Sequence, residues 1–568
     1  MQRNSVTKPV ETTPAYQPSA TIAGTQTMKL TRRQTLKLLT YAGPAILRPN
    51  AFAAAETPID LVVYGATASG VMTAYSAARE GLRVVLLEPR AHVGGMVTGG
   101  LSATDLGYYP IIGGYARDFY LKAAAHYGVS DLDQPANWLS EPHVDEQIFR
   151  SLLQNAGVTA YFHEKLLEQG GVELQGQRII SITTSGGKHW PAKIFADCSY
   201  EGDLMAQAKI SYTWGREAAS EYGESLAGVR GDTPKHQFLW PVSAYDDAHH
   251  LLPEIDPGPL APPGSGDKKV QAYNFRLILT NDAANRLPFT RPDGYDRSRF
   301  ALLERYLGSF EQHTGRPPGF MDVTNPVLIP NHKADFNNNG PFSTDYIGHS
   351  WKYPEASYKE KDAIWQDHLL YTKSFFYFIS QDPKAPAFLR NEVNQWGLPK
   401  DEFADTDHWP NQLYIREGRR MVGEYVMRQS DLQTERTKED SIGMGSYNSD
   451  SHNIQRVAMP DGNVKNEGDV QVPVQPYEIA YRTITPKRSE TENLLVPVCL
   501  SATHAAYSSV RMEPQYMIIG QAAGVAASLA IQSGKPVQDI SIPVLQQKLR
   551  QHNAVLHLSE EFRPAVPK

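Results

Sequence analysis

Cysteine is nearly absent from this sequence. Cys198 and Cys499 are the only two in 568 residues. That count excludes a CxxC redox pair, a CxxCH haem attachment and a cysteine-ligated iron–sulfur cluster. Two buried thiols are expected, and no metal. An excess of either charge is also missing: 55 Lys and Arg against 62 Asp and Glu leave a net charge of -7. No nucleic-acid or anionic-membrane partner is implied. There is no internal repeat and no second dinucleotide loop, because "GMGSYN" (443–448) lacks the third glycine and a preceding strand. No NAD(P)H domain is therefore expected, and no stable membrane span. At 568 residues the chain exceeds one hydrophobic core, so two or three domains are expected.

The first 55 residues read as a polar tail followed by an export signal. From Met28, which reads as the true start, "MKLTRRQTLKLLTYAGPAILRPNAFAAAE" carries Arg32-Arg33, then Leu36 and Lys37. Its short apolar stretch is broken by Gly43 and Pro44, too short to span a bilayer. Ala51-Phe52-Ala53 and Ala53-Ala54-Ala55 are cleavage candidates. The arginine pair points to the twin-arginine export machinery and a periplasmic or secreted destination. Thr35 departs from the pattern, standing where a large apolar residue is usual.

The next segment carries chemistry. Ile59 to Tyr64 is a continuous apolar run, as in a central parallel strand. "GATASG" (65–70) follows, then a helix over Ser69–Glu80 stopped by Gly81, then a second strand over Leu82–Leu87 ending at Glu88. In a dinucleotide fold the first glycine permits the strand-to-helix turn, and the third lets helix and strand pack closely. Gly65 and Gly70 hold those places. Thr67 replaces the second glycine and offers a hydroxyl to a phosphate. The helix N-terminus at Ser69 offers amides to a pyrophosphate. Glu88 is placed to accept both hydroxyls of an adenosine ribose.

The run Glu88-Pro89-Arg90 to Gly94-Gly95-Met96 goes beyond a nicotinamide fingerprint. It resembles the N-terminal signature of FAD-binding proteins of the glutathione-reductase-like superfamily. "EPHVDEQIFRSLLQNAGV", "FADCSYEGDLMAQAKISYTWGREA", "DSIGMGSYNSDSHNIQR" and "SATHAAYSSVRMEPQYMIIGQAAGVAA" extend the likeness over about residues 58 to 555. Together they resemble a bacterial FAD-dependent oxidoreductase family of largely exported proteins, some labelled xanthan-lyase-like. The resemblance implies an α/β fold: a Rossmann-like FAD-binding domain of glutathione-reductase type, with an inserted α+β substrate domain. The expected division is 56–215 and 481–568 for the FAD domain and 216–480 for the insert. Phe195 to Asp197 would close the FAD domain on the other side. Pro514 to Gly534 reads as a long helix with its N-terminus at the flavin. Gly520, Gln521, Ala522 and Ala523 would lie along the cofactor.

With no internal redox relay, the flavin exchanges electrons with an external acceptor: oxygen, a quinone or a redox protein. The expected reaction moves a hydride from a small hydroxylated (sugar-like) or amino substrate to flavin N5. His504 and His452 are candidate bases, and Arg511 a carboxylate or flavin anchor. Three further groups read as structural: Arg419-Arg420 with Glu424 as a helix ion pair, "NNN" at 337–339 as a loop, and His92 as a loop histidine. Two other reactions remain open: reduction of an activated C=C bond, and a non-redox polysaccharide-binding or lyase role.

Overall fold

The computed structural model describes residues 58–558. The tail and export signal lie outside the described residues.

The first apolar run forms β1 (Ile59–Tyr64), and the helix after it is α1 (Ala68–Arg79). It ends where Gly81 takes φ +89°, a backbone state that a Cβ disfavours. β2 (Val84–Glu88) returns parallel to β1, with Leu61 beside Val84 and Tyr64 beside Leu87. The helices α2 (Gly114–His126) and α3 (Pro142–Asn155) follow, then β3 (Thr159–Phe162), parallel to β2. The chain then doubles back through an antiparallel meander: β4 (Val172–Gln175), β5 (Arg178–Thr183) and β6 (His189–Asp197). The long β6 pairs by its first half with β5. Its second half runs parallel to β1, with Phe195 beside Val62 and Asp197 beside Tyr64. The resulting sheet order is β3-β2-β1-β6-β5-β4.

Residues 277–338 contribute a separate three-stranded antiparallel sheet, and Tyr358–Gln381 forms the helix α4. Ser357 opens α4 with a reciprocal cap to Glu360. The chain rejoins the first sheet at β7 (Leu494–Leu495), parallel to β6. Three helices close the fold: α5 (His504–Val510), α6 (Glu513–Ser533) and α7 (Ile542–Gln551). Pro514 lies in the first turn of α6, and Gly534 ends it at φ +66°. Among the described residues α6 alone is long and apolar enough to cross a membrane. Its residues from Glu513 to Ala530 are all buried within the fold, so it serves as the core helix.

The small-residue stripe of α6 explains how two helices approach so closely. A Cβ on Gly520 would lie 2.3 Å from the Ser69 carbonyl oxygen, and one on Gly524 would lie 2.0 Å from Ser76 Oγ. Ser76 Oγ donates to the Gln521 carbonyl at 3.0 Å, locking the crossing. The described residues all fall in one compact unit.

Two expectations are corrected, and the two buried thiols are found as expected. Arg419 and Arg420 lie on extended chain, not a helix, and Arg420–Met421 pairs with Tyr212–Thr213. Arg419 meets Asp203 and Glu355, while Arg420 is fully buried between Glu217 and Glu417. Asn337 and Asn338 end a strand, Lys333–Asn338, rather than forming a loop. Asn337 lies on the face opposite Phe336 and Asn338, a period of two that three adjacent asparagines conceal. Cys198 and Cys499 are both free and buried.

Candidate active site

The site begins at the turn from β1 into α1. Gly65 has φ +93°, and a Cβ there would lie 2.7 Å from the Ser199 amide nitrogen. Gly70 passes so near Gly65 that a Cβ would lie 1.9 Å from its carbonyl oxygen. Thr67 caps α1. Its Oγ1 accepts from the Gly70 amide at 3.2 Å and donates to the Cys198 carbonyl at 2.8 Å. The hydroxyl expected to meet a phosphate has therefore spent its proton on the fold, and the loop's anion-binding capacity rests on backbone. The amides of Ala68 and Ser69, in the first turn, have no intrahelical acceptor.

Glu88 ends β2 in the same cleft. Its Oε2 accepts from the Ala66 amide at 2.7 Å and Oε1 from the Arg90 amide at 2.8 Å. Burial outweighs both bonds and raises its pKa to about 7. After Pro89, the Arg90 guanidinium stacks 3.5 Å above the Trp365 ring of α4. Gly94 donates to the Ala66 carbonyl at 2.7 Å, so the glycine pair lies against the first loop. A Cβ on Gly95 would lie 2.4 Å from Tyr200 Oη. That hydroxyl accepts from the Met96 amide at 3.0 Å and donates to Glu513 Oε1 at 2.8 Å. The cleft wall is completed by Ser199 and by Asn411 and Gln412 from the middle of the chain.

The helix α6 packs behind the loop, and Gly520, Gln521, Ala522 and Ala523, expected along the cofactor, do not line the cleft. Gly520 faces Ser69. Gln521 Oε1 accepts from the Tyr115 amide at the start of α2, and Ala522 and Ala523 are fully buried. Several buried polar atoms around these elements have no partner in the protein: Ser69 Oγ, Glu513 Oε2, Gln521 Nε2 and both polar atoms of the Gln515 amide. A cradle that a Cβ would fill, bordered by such orphaned atoms, fits a large polar ligand such as a dinucleotide.

A separate cavity of about 580 Å³ opens beside this cleft. His452 lines it. Its Nδ1 meets Asp345 Oδ2 at 2.7 Å, and its Nε2 lies 3.7 Å from Asp450. Burial would raise the pKa of Asp345, but Arg416 and His452 outweigh it and hold the carboxyl at about 2. A fixed carboxylate on Nδ1 is the arrangement that orients an imidazole as a base. Asp105, Arg276, Tyr414 and Tyr447 share the cavity wall. Arg511 stands behind it, donating to Tyr414 Oη at 3.0 Å and to the Asp450 carbonyl at 2.8 Å. Hydrogen bonds join Tyr414 to Arg511 on the cavity side, and Glu513 to Tyr200 and Met96 on the cleft side.

The structure separates the two histidine candidates. His504 does not line the cavity. Its Nδ1 meets Glu417 at 2.8 Å and its amide meets Glu217, within the buried network around Arg420. His92 bridges Glu146 and Asp405 at the cleft edge. The sequence reading missed Asp105, Arg276, Tyr414, Tyr447 and Asp450 in the cavity, Asp345 behind His452, and Tyr200 in the cleft. Only Asp450 carried a signal, two residues before His452. Glu141, His143 and Glu402 also converge, but the Lys333 ammonium sits on both carboxylates at 2.5 and 2.8 Å, supplying the cation there.

Comparison with known proteins gives one match that spans the chain. Residues 60–549 match a family model described as FAD dependent oxidoreductase. No curated protein matches significantly. Among solved structures, a flavin monooxygenase from Stenotrophomonas maltophilia shares 16% identity over 25% of this chain and 37% of its own, with a TM-score of 0.18. The THI4 protein of Thermovibrio ammonificans shares 20% over 27% of this chain and 63% of its own, at 0.21. Thioredoxin reductase of Lactococcus lactis shares 16% over 24% and 34%, at 0.17. The chain thus covers less than two-thirds of each of these structures.

Proposed function

The chain belongs to the FAD-dependent oxidoreductase family, and from that premise we propose that it oxidises a small hydroxylated or amino substrate bound beside His452. The chain is an FAD-dependent oxidoreductase, and FAD is its cofactor. Gly65, Ser69, Gly70, Glu88, Pro89, Arg90, Gly94, Gly95 and Met96 hold it in this reading, with Thr67 shaping the turn. Gly520, Gln521, Ala522 and Ala523 support it through α1 and α2. Bound FAD supplies a two-electron acceptor for the hydride that leaves the substrate carbon. The rest is done by the protein.

His452 takes the proton from the substrate hydroxyl or amine at Nε2, because Asp345 holds Nδ1. Arg511 fixes Tyr414 and Asp450, two walls of the cavity. The His452–Asp345 pair at the cavity wall is the observation that carries this reading. It also favours oxidation over reduction of an activated C=C bond. Both nearby arginines are tied down, Arg276 by Asp335 and Arg511 by Asp450, so neither is a free proton donor. Electrons leave to oxygen, a quinone or a redox protein, and the arginine pair at residues 32–33 supports export to the periplasm.

The test is the visible spectrum of the anaerobic protein with pooled sugars, alcohols and amines. Flavin bands should bleach with one pool and return in air or with a quinone. His452→Asn should keep its flavin while slowing bleaching by about 10² to 10⁴. Bleaching at the wild-type rate in that variant would remove His452 from the reaction.

A further inference from the structure

The cavity is built differently at its floor and its mouth. Arg276 and Tyr414 at the floor are 3% and 5% exposed, whereas Leu239 at the mouth is 71% exposed and Asn325 is also exposed. The mouth carries the amides of Asn325 and Asn337 together with the exposed Lys235 and the half-buried Asp322. On the antiparallel pair Thr324–Ile329 and Lys333–Asn338, Asn325 stands directly opposite Asn337, so both side chains leave one face. Asn338 lines the cavity too. Among the described residues, Asn337 spends only its Oδ1 within the protein, on the Asn338 amide. Tyr306 and Phe310 lie beneath these asparagines, 2% and 1% exposed, and back the wall from the core.

We propose that this mouth is a second sugar subsite, and that the substrate is an oligosaccharide whose outer ring is held by Asn325 and Asn337. The inference rests on reading the cavity as the substrate site. An amide presents a donor and an acceptor side by side, and a sugar hydroxyl is both acceptor and donor. Of the charged groups beside these two amides, Asp322 is paired with Arg316 and Lys235 is bonded to Gln471, so Asn325 and Asn337 offer the neutral donors and acceptors there. A cavity of about 580 Å³ lies in the range that encloses a ligand of drug size, larger than one sugar ring.

Calorimetry on the holoenzyme tests this with β-1,4-linked ladders of glucose, mannose and xylose, from one unit to five. Affinity for one ladder should rise about tenfold from one unit to three and then level. The double variant Asn325→Ala, Asn337→Ala should lose that rise while keeping its monosaccharide affinity and flavin content. A flat profile for every ladder, no binding of any, or an undiminished rise in the double variant overturns the subsite. The outcome is separable from that of the proposed oxidation. Bleaching by an alcohol or amine with flat ladders removes the subsite alone, and a chain-length rise without bleaching keeps the subsite and removes the oxidation.

Discussion

Glu513 shows how a single residue changes meaning once its surroundings are known. A carboxylate in the first turn of a helix ordinarily gains from the positive end of the dipole. Here the side chain is 1% exposed, with Tyr200 on one oxygen and nothing in the protein on the other. Burial outweighs the Tyr200 bond and the charge of Arg511, and the pKa rises to about 8. The group is mostly neutral at pH 7, so it acts as a hydrogen-bonding acid rather than a dipole partner. Linkage fixes the sign. The folded chain binds this proton more tightly than the unfolded chain, so stability is greatest below about pH 4.5 and falls as pH rises through 8. The effect is on the order of a few kcal/mol. Melting temperatures of flavin-stripped protein from pH 5 to 9 should fall more steeply than those of Glu513→Gln. Parallel curves would assign the fall to other raised carboxyls, Glu88 and Asp197.

The contact of α1 with α6 is the element on which the site is built. A methyl on Gly524 would meet Ser76 Oγ, the Thr73 carbonyl and the Ala77 amide at 2.0, 2.3 and 2.8 Å, and two of these are backbone atoms. Gly524→Ala should lower unfolding stability by about 1–3 kcal/mol. Gly308→Ala, where nothing lies within 4 Å, should change it little. Equal losses in urea unfolding would mean that the helices do not need their glycine contact. The stripe itself was readable, because Gly520, Ala523, Gly524 and Ala527 repeat at helical spacing. So were β1, Gly81 and Gly534, which depend on near neighbours. What the stripe packs against was not readable: α1 lies more than 400 positions earlier. The same distance problem hid the pair at the cavity wall. Asp345 and His452 are 107 residues apart, and no local pattern joins them. His504 looked equally able to act as a base until its buried carboxylate partners were seen. Arg419 and Arg420 were misread because charges three to five apart suggest a helix, while their partners come from elsewhere in the chain.

At the scale of the whole molecule, the proposed export route turns on when the chain can capture FAD. The cofactor cleft takes its wall from Gly65, Glu88, Ser199 and Gln412, and Glu513 joins it through Tyr200. These positions span almost the entire mature chain. A cleft assembled from such distant segments does not exist on an unfolded polypeptide, so FAD is captured only after most of the chain has folded. A route that threads unfolded chain across a membrane would deliver the protein before the cofactor could be bound. The Arg32-Arg33 pair fits the other route, in which the folded, loaded protein is carried. Replacing both arginines with lysine should therefore leave flavin-loaded protein in the cytoplasm and none outside it. Cell fractionation with flavin fluorescence on each fraction measures this directly. Undiminished export of the lysine variant would assign the signal to the general secretory pathway and move cofactor loading outside the cytoplasm.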